Sequence, residues 1–148
     1  MERDGMKLRV FGDVEGLSSE LQALVAKADE IASRIDGFQA NICLNYGGRD
    51  DIVQAARRYA RDFADGKTTG ELTEEEFSNY LYSSGVPDPD LLIRPGGEQR
   101  ISNFLLWQCA YSEFYYTDVL WPDFTPAELD KAIEVFRSRD RRYGGVKA

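Results

Sequence analysis

The sequence predicts an α/β domain whose sheet is mostly parallel and flanked by helices. Short runs of β-branched and aromatic residues alternate along the chain with longer segments in which apolar residues recur every three or four positions. Such an alternation of strands and helices is typical of a parallel sheet covered by its crossover helices. The chain has 148 residues, 43% of them hydrophobic, which is sufficient for one domain with a buried core.

The first half of the chain contains two predicted strands and three predicted helices. In chain order these are a strand at 7–13, a helix at 21–35, a strand at 38–46, a helix at 52–63 and a short helix at 73–82. Gly47 and Gly48 make the turn after the second strand. Asp50 and Asp51 form the acidic first turn of the helix that follows, where the helix dipole favours negative charge.

The second half continues the alternation. Its predicted elements are a strand at 90–94, a helix at 101–110, a strand at 115–120 and a helix from 126 to about 142. The strand DLLIR is apolar in a continuous run, as expected of a buried parallel strand. Ligands of parallel sheets bind at the carboxyl ends of the strands, so the loops after Tyr46 and Arg94 are the candidate edges.

Two helix starts carry capping signals. Thr73 with Glu76, and Thr125 with Glu128, stand at the spacing of a capping box. Pro126 occupies the first helical position of the second, where its missing N–H costs nothing.

The overall charge excludes some classes of partner. The net charge is -8 and the pI is about 4.6, so the field of the chain repels nucleic acid and anionic membrane surfaces. No nucleic-acid partner is expected, and a polyanionic substrate would need a local basic cluster. Histidine is absent, which excludes histidine-based catalysis and histidine metal ligands from this chain.

The cysteines and the apolar runs predict a cytoplasmic protein. Cys43 and Cys109 each lie in an apolar stretch and are interpreted as two buried thiols rather than a disulfide. No apolar run has the length of a membrane span, and the charged start of the sequence carries no secretory signal.

The segment from Arg94 to Asn103, RPGGEQRISN, joins a predicted buried strand to a predicted helix. Its two glycines let the backbone approach a ligand, Arg94 and Arg100 bracket them, and Ser102 lies near the predicted helix N-terminus. Guanidinium groups, a hydroxyl and helix N–H groups together suit a diphosphate. The alternative from residue types alone is a glycine turn with two surface arginines, and both interpretations stay open at this point.

Glu98 and Glu113 are the carboxylates nearest this loop in sequence. Either could bind magnesium, which takes hard oxygen ligands and often shares them with a diphosphate. The alternative for each is a salt bridge to an arginine, and the flanking arginines favour that alternative for Glu98. A second basic cluster, from Arg137 to Gly145, is by itself typical of cations at a helix C-terminus.

Three segments, in matching order and spacing, resemble the motifs of cis-prenyltransferases of the undecaprenyl diphosphate synthase (isoprenyl transferase) type. The segment from Ile93 to Phe124, IRPGGEQRISNFLLWQCAYSEFYYTDVLWPDF, closely resembles the signature region of that family. NYGGR at 45–49 looks like its NYGGR turn, and RRYGG at 141–145 is similar to its C-terminal RRFGG, which contains an RxG motif. The resemblance spans nearly the whole chain, from about Lys7.

The resemblance implies a chemistry. The family condenses isopentenyl diphosphate with an allylic diphosphate to form a new cis double bond, with Mg2+ as cofactor. By motif match, Arg94, Arg100 and Ser102 would bind isopentenyl diphosphate. Glu113 matches a family carboxylate linked to magnesium and to isopentenyl diphosphate binding, and Glu98 would be a supporting carboxylate.

The resemblance also implies partners. Arg142 and Gly144, the RxG match, would reach the site of the partner subunit in a homodimer. Any association of the protein with a membrane is expected to be peripheral and to occur through the lipid product.

Two departures from the family pattern affect these expectations. Pro95 replaces the threonine that is usual after the first arginine, and we expect it to stiffen the turn without removing a charge. The family opens with DGNxRW, whose aspartate binds magnesium, and no Asp-Gly-Asn occurs here. We therefore expect one incomplete family domain, residues 1–148, truncated at its N-terminus, without a catalytic residue and inactive alone. The alternative is a non-catalytic binding subunit of a heteromeric enzyme, although such subunits generally lose the arginine motif that this chain keeps.

Overall fold

The computed structural model describes residues 5–139. Its main elements are β1 (Lys7–Phe11), α1 (Ser19–Ala32), β2 (Gln39–Cys43), α2 (Gly48–Ala64), α3 (Glu74–Ser78), β3 (Leu91–Arg94), β4 (Glu113–Tyr116) and α4 (Pro126–Ser138). A short 3₁₀ helix, Trp121–Asp123, lies between β4 and α4. Both strand pairs are parallel, which confirms the predicted α/β class.

The chain divides into two compact units, Met1–Val86 and Pro87–Ala148. Each unit has a two-stranded parallel sheet, β1 with β2 in the first and β3 with β4 in the second. Within the described residues the four strands therefore do not form one hydrogen-bonded sheet. Periodicity could not show this, because it identifies strands and not their partners. The single domain over 1–148 stays a prediction.

In the first unit, β1 and β2 pair along their whole length and α1 packs against β1. The guanidinium of Arg9 donates to the carbonyl oxygens of Ser84 at 2.6 Å and Tyr82 at 3.2 Å, which ties β1 to a distant turn. The buried apolar side chains of this unit are Phe11, Ala55, Phe77 and Leu81.

α2 begins at a buried carboxylate. Gly47 is the N-cap and offers no side-chain cap, while Asp51 in the first turn is only 1% exposed. Asp51 accepts hydrogen bonds from the Tyr46 hydroxyl at 3.0 Å, the Gln54 amide at 3.1 Å and the Tyr82 backbone N–H at 2.9 Å. The predicted acidic first turn is confirmed. The sequence had not predicted that one of its two carboxylates would be buried.

In the second unit, β3 and β4 pair from Leu91 opposite Glu113 to Arg94 opposite Tyr116, and α4 packs against β4. β4 thus begins two residues before its predicted start and ends four before its predicted end. Cys109 and Ala132 are the buried apolar residues of this unit.

The helix predicted at 101–110 is wrong. The segment forms successive turns, and Ser102, Asn103 and Leu105 have φ angles of 49°, 62° and 44°. Such left-handed residues cannot continue a right-handed helix. The N–H of Phe104 bonds to the carbonyl of Ile101, three residues back, as in a turn. Helical spacing of apolar residues could not anticipate these backbone angles.

One of the two predicted capping boxes is confirmed. Thr73 and Glu76 make both reciprocal bonds at the start of α3. The second prediction is wrong as a box: Thr125 is the N-cap of α4 and proline follows it, but its side chain makes no capping bond. The carboxylate of Glu128 pairs with Lys131 instead, so it is turned away from the helix start.

Two further sequence predictions meet the structure here. No described helix is long and apolar enough to cross a membrane. Cys43 and Cys109 are both free thiols, Cys109 buried and Cys43 half-buried.

Candidate functional site

The loop between β3 and the following turns carries the candidate diphosphate site. Arg94 is the last residue of β3 and lies opposite Tyr116 of β4, at the carboxyl ends of two parallel strands. The N–H of Thr117 donates to the Arg94 carbonyl at 3.2 Å, so the pairing extends to the start of the loop. This is the edge at which parallel sheets bind ligands.

The glycine turn beside Arg94 is built against the chain that leaves β4. Gly96 and Gly97 have φ angles of 92° and 77°, which side-chain-bearing residues rarely adopt. Their N–H groups donate to the carbonyls of Val119 and Thr117, each at 2.9 Å. A Cβ on Gly97 would lie 3.1 Å from the Asp118 carboxylate. These two N–H groups therefore stabilise the turn. From the sequence we had expected the two glycines to let the backbone approach a ligand.

Two of the three predicted diphosphate ligands contact each other. Nη1 of Arg94 donates to Oγ of Ser102 at 3.1 Å and also to the carbonyl oxygen of Arg100. The guanidinium of Arg94, at the start of the loop, thus bonds to two residues at the end of the loop. Ser102 reaches this position through a left-handed backbone and not, as predicted, beside a helix N-terminus.

The third predicted ligand, Arg100, forms an ion pair with Glu98. The side chains are 67% and 45% exposed, respectively. Exposed pairs of this kind contribute about 0–1 kcal/mol, whereas a charge-assisted bond to a ligand is worth roughly 1.5–3 kcal/mol. An anion could therefore take Arg100 from Glu98. The salt bridge is the alternative that the flanking arginines had favoured for Glu98.

A small polar pocket of about 280 Å³ adjoins the glycine turn. Its lining residues are Gly97, Gln99, Tyr116, Thr117 and Asp118. The charged group that lines it is thus a carboxylate, and the arginines lie outside its lining. Sequence reasoning had not singled out Asp118, and its position two residues after the end of β4 is the signal that could have found it.

Glu113, the predicted metal ligand, is the first residue of β4. Its Oε2 lies 2.6 Å from Nη1 of Arg139, and its side chain is 27% exposed. A carboxylate oxygen fits magnesium. Within residues 5–139, however, no group of three or more histidine, cysteine, aspartate or glutamate residues could hold a metal ion. The salt bridge to Arg139 is the alternative that the sequence had left open for Glu113, and its role as a metal ligand stays a prediction.

Arg142 and Gly144, the two remaining predicted residues, lie outside the described residues.

A second recess lies in the first unit, at the carboxyl ends of β1 and β2. Gly12, with a φ of 135°, directly follows β1, and a Cβ there would overlap the carbonyl oxygen of Leu44. Asn45, in the NYGGR turn, has a φ of 48° and donates from its side chain to the Asp13 carbonyl at 2.9 Å. The turn thus contacts the loop after β1, and ligand binding at this edge stays a prediction.

The cleft beside these loops has a volume of about 680 Å³. Four arginines and four carboxylates line it in equal number, together with uncharged residues; the charged ones are Arg9, Arg57, Arg58, Arg61, Asp13, Glu15, Asp29 and Asp50. The lining has no net charge, so electrostatics alone selects neither an anion nor a cation.

Comparison with known proteins decides the family. The model of the prenyltransferase family described as undecaprenyl diphosphate synthase matches residues 1–144. The chain belongs to this cis-prenyltransferase family. This one match includes residues of both units, the loop from Arg94 to Asn103, and the basic cluster from Arg137 as far as residue 144.

Curated relatives agree with the family assignment. The chain is 44% identical to an isoprenyl transferase of Clostridium perfringens, over 99% of the chain and 58% of that protein. It is 50% identical to an isoprenyl transferase of Fusobacterium nucleatum, over 99% of the chain and 61% of that protein. The chain thus spans less than two thirds of the length of these relatives.

Solved structures show the same fold in part. Lavandulyl diphosphate synthase from Lavandula x intermedia, in complex with dimethylallyl diphosphate, superposes with a TM-score of 0.88 and 38% identity, covering 94% of this chain and 60% of that one. A probable undecaprenyl diphosphate synthase from Campylobacter jejuni gives 0.84 and 35%, covering 97% and 65%. The chain has an incomplete cis-prenyltransferase fold.

Proposed function

We propose that this chain is the isopentenyl diphosphate-binding part of a prenyl transferase that joins isopentenyl diphosphate to an allylic diphosphate and forms a cis-polyprenyl diphosphate. The observation that carries the proposal is the family match over residues 1–144, combined with the clustering of Arg94, Arg100 and Ser102 at one loop. That loop lies at the carboxyl end of β3, where ligands of parallel sheets bind.

The loop suits a diphosphate by its charge and its stereochemistry. Arg94 is held in place by Ser102 and the Arg100 carbonyl, so its guanidinium is oriented before a ligand arrives. Arg100 would exchange the carboxylate of Glu98 for the diphosphate, two of whose oxygens can accept a bidentate contact from the guanidinium. Ser102 would add a hydroxyl donor. These groups would position the substrate and balance its negative charge.

Magnesium would be held in part by Glu113. When bound, Mg2+ supplies positive charge to the diphosphate that leaves the allylic substrate. The role of the chain itself is to bind and orient isopentenyl diphosphate beside it.

The assembly we propose is a cytoplasmic homodimer. Arg142 and Gly144 would reach the site of the partner subunit, as the matching family motif implies. Membrane contact would be peripheral and would come through the lipid product. The lavandulyl diphosphate synthase structure, a complex with dimethylallyl diphosphate, supports a small allylic diphosphate as the second substrate class.

The isolated chain is proposed to be inactive. Its sequence has no Asp-Gly-Asn segment, the motif that resemblance assigns to allylic diphosphate and magnesium. A second candidate function is that of a non-catalytic binding subunit in a heteromeric enzyme, although such subunits generally lose the arginine motif that this chain keeps. Incubation of the purified chain with allylic diphosphate and labelled isopentenyl diphosphate tests the point. Labelled polyprenyl product from the chain alone would contradict it.

Substitution at the arginine loop tests the site. In a full-length enzyme that carries these residues, Arg100→Ala should raise the KM for isopentenyl diphosphate by roughly tenfold to a hundredfold, because one charge-assisted contact is lost. The KM for the allylic diphosphate should barely change. Steady-state kinetics with each substrate varied in turn gives both values.

Two controls accompany this variant. Glu98→Ala should have a smaller effect, because that carboxylate only pairs with Arg100. Arg34→Ala removes an exposed arginine that pairs with Glu30 on α1, and it should leave both KM values unchanged. An Arg100→Ala enzyme with unaltered isopentenyl diphosphate kinetics would contradict the assignment of the loop.

A further inference from the structure

The charges that line the large cleft of the first unit are separated along α2. Asp50 lies in the first turn of this helix, whereas Arg57 and Arg61 lie in its second half. At 1.5 Å per residue, Asp50 and Arg57 are about 10 Å apart along the helix axis. Burial raises the pKa of Tyr82, and the charges of Asp50 and Asp13 raise it further, so both carboxylates lie near this side chain. The lining, although neutral as a whole, therefore has an acidic end and a basic end.

The arginines at the basic end have no acidic partner. Arg57 and Arg61 are both exposed and lie four residues apart, on one face of α2. Within residues 5–139 neither forms a salt bridge, and the carboxylates that follow them in sequence, Asp62 and Asp65, both pair with Lys67. Like charges at this spacing destabilise a helix, so an anion bound between the two guanidinium groups would remove an unfavourable interaction.

Between the two ends lies an acceptor that needs a donor. Gln54 lines the cleft, and its Nε2 donates to Oδ1 of Asp51 at 3.1 Å and to the carbonyl of Tyr80 at 3.2 Å, which fixes the orientation of the amide. Oε1 of Gln54 is buried and accepts no hydrogen bond within the described part of the chain. Buried acceptors are normally satisfied. A ligand with N–H or O–H groups could satisfy this one, directly or through a bridging water, whereas a simple anion could not.

We propose that this cleft binds a nucleoside phosphate, with the phosphate groups at Arg57 and Arg61 and the donor groups of the nucleoside at Asp13 and Asp50. Guanidinium groups bind phosphate oxygens by bidentate contacts. A carboxylate near the carboxyl end of a parallel strand commonly accepts hydrogen bonds from ribose hydroxyls, and Asp13 stands two residues after β1.

The size of the cleft agrees with this class of ligand. Its volume of about 680 Å³ falls in the range of small-molecule sites, roughly 300–1,000 Å³. The site lies wholly in the first unit. It is thus additional to the diphosphate loop at Arg94 and does not depend on it.

Calorimetry with three probes tests the proposal. The 148-residue chain is used with Arg100→Ala, so that the proposed diphosphate loop is weakened. ADP has both ends of the proposed ligand, pyrophosphate has only the anionic end, and adenosine has only the donor end. ADP should bind more tightly than either of the others by roughly tenfold or more, because both ends of the cleft contribute.

Substitutions in the cleft locate the binding. Arg57→Ala and Arg61→Ala should each raise the dissociation constant of ADP by roughly tenfold to a hundredfold, because one charge-assisted contact is lost. Asp50→Asn should raise it by roughly three- to tenfold and should leave pyrophosphate binding unchanged. Arg34→Ala is the matched control, since it removes an exposed arginine outside the cleft, and it should leave the affinity for ADP unchanged.

The outcomes separate this inference from the proposed function. Absence of ADP binding at millimolar concentration would overturn the inference, as would an affinity for ADP that neither Arg57→Ala nor Arg61→Ala changes. Pyrophosphate binding that equals ADP binding and is lost in Arg57→Ala would overturn the nucleoside phosphate and show a simple anion site. Failure of the diphosphate loop would appear instead as pyrophosphate binding that Arg100→Ala does not weaken, and it would leave the result for the cleft intact.

Discussion

Asp51 is the largest fully buried side chain among the described residues, and it is a carboxylate. Burial of such a group is tolerated only where donors satisfy its oxygens. The donors here come from the loop after β2, from α2 itself and from the segment after α3, namely Tyr46, Gln54 and Tyr82. At the scale of one residue, a single charge therefore joins three segments of the first unit.

We expect Asp51→Asn to lower the free energy of unfolding by about 1–3 kcal/mol. The amide would turn one NH2 group towards donors that need an acceptor, and an unsatisfied buried donor costs that amount. Urea denaturation followed by circular dichroism measures the change. Asp50→Asn, at the exposed neighbouring position, is the matched control and should stay within about 0.5 kcal/mol. Equal losses from both variants would contradict the role given to Asp51.

The two thiols provide a second prediction at this scale. Burial raises the pKa of Cys109, and burial followed by the charge of Asp51 raises the pKa of Cys43 above the ordinary value of 9.0. Folding therefore disfavours the thiolates, and stability should fall as pH rises above 9.0. We expect both thiols to react with iodoacetamide more slowly in the native chain than in urea at the same pH. In a Cys109→Ser variant, the remaining reaction rate belongs to Cys43. In that background, Asp51→Asn should increase the rate at which Cys43 reacts.

At the scale of elements, two helices begin with the same local pattern and behave differently. Thr73 and Glu76 bond to each other's backbone groups, whereas Thr125 makes no capping bond and Glu128 pairs with Lys131. The start of α4 differs from that of α3 in having a proline at the first helical position and a nearby lysine. A capping signature therefore predicts where a helix begins more reliably than which hydrogen bonds form there.

We expect Thr73→Ala to destabilise the chain by about 1 kcal/mol, the usual effect of losing an N-cap side chain. Thr125→Ala is the matched control, since the same atoms are removed where no capping bond exists, and it should change stability by less than about 0.5 kcal/mol. Chemical denaturation of both variants under the same conditions measures the difference. A larger loss from Thr125→Ala would show that the bond at α3 contributes little.

At the scale of the whole molecule, several large apolar side chains are exposed. A two-stranded sheet is marginal by itself, and uncovered strand edges invite pairing with another chain. Several large apolar side chains are more than half exposed, including Leu24 (58%), Phe38 (72%), Tyr111 (72%), Leu120 (60%) and Trp121 (74%). The relatives are longer than this chain, as expected if further family segments cover such surfaces in them.

We therefore expect the isolated chain to be oligomeric or marginally stable. Sedimentation velocity over a range of concentrations should give an average mass that rises with concentration. The net charge of -8 opposes association at neutral pH, so association should increase as pH approaches 4.6, where that repulsion fades. A stable monomer whose mass does not depend on concentration would contradict this expectation.

Local patterns in the chain were enough to predict much of the fold and part of the site. Apolar spacing identified the strands and most helices, because that spacing depends on neighbours a few residues away. Arg94, Arg100 and Ser102 could be grouped from sequence for the same reason, since nine positions contain all three. The family resemblance, carried by three ordered motifs, was likewise available from the printed residues and is confirmed by the family match.

Contacts between distant residues were decided only by the tertiary structure. The left-handed backbone at Ser102 replaced a predicted helix, and the four strands formed two sheets within the described residues. Glu113 accepts a hydrogen bond from Arg139, 26 positions away, and Asp51 accepts one from Tyr82, 31 positions away. The periodicity of apolar residues indicates which face of an element is apolar. It does not predict which distant donor will bond to a given carboxylate. That choice depends on how the elements pack, because packing determines which groups lose water and must be satisfied by one another.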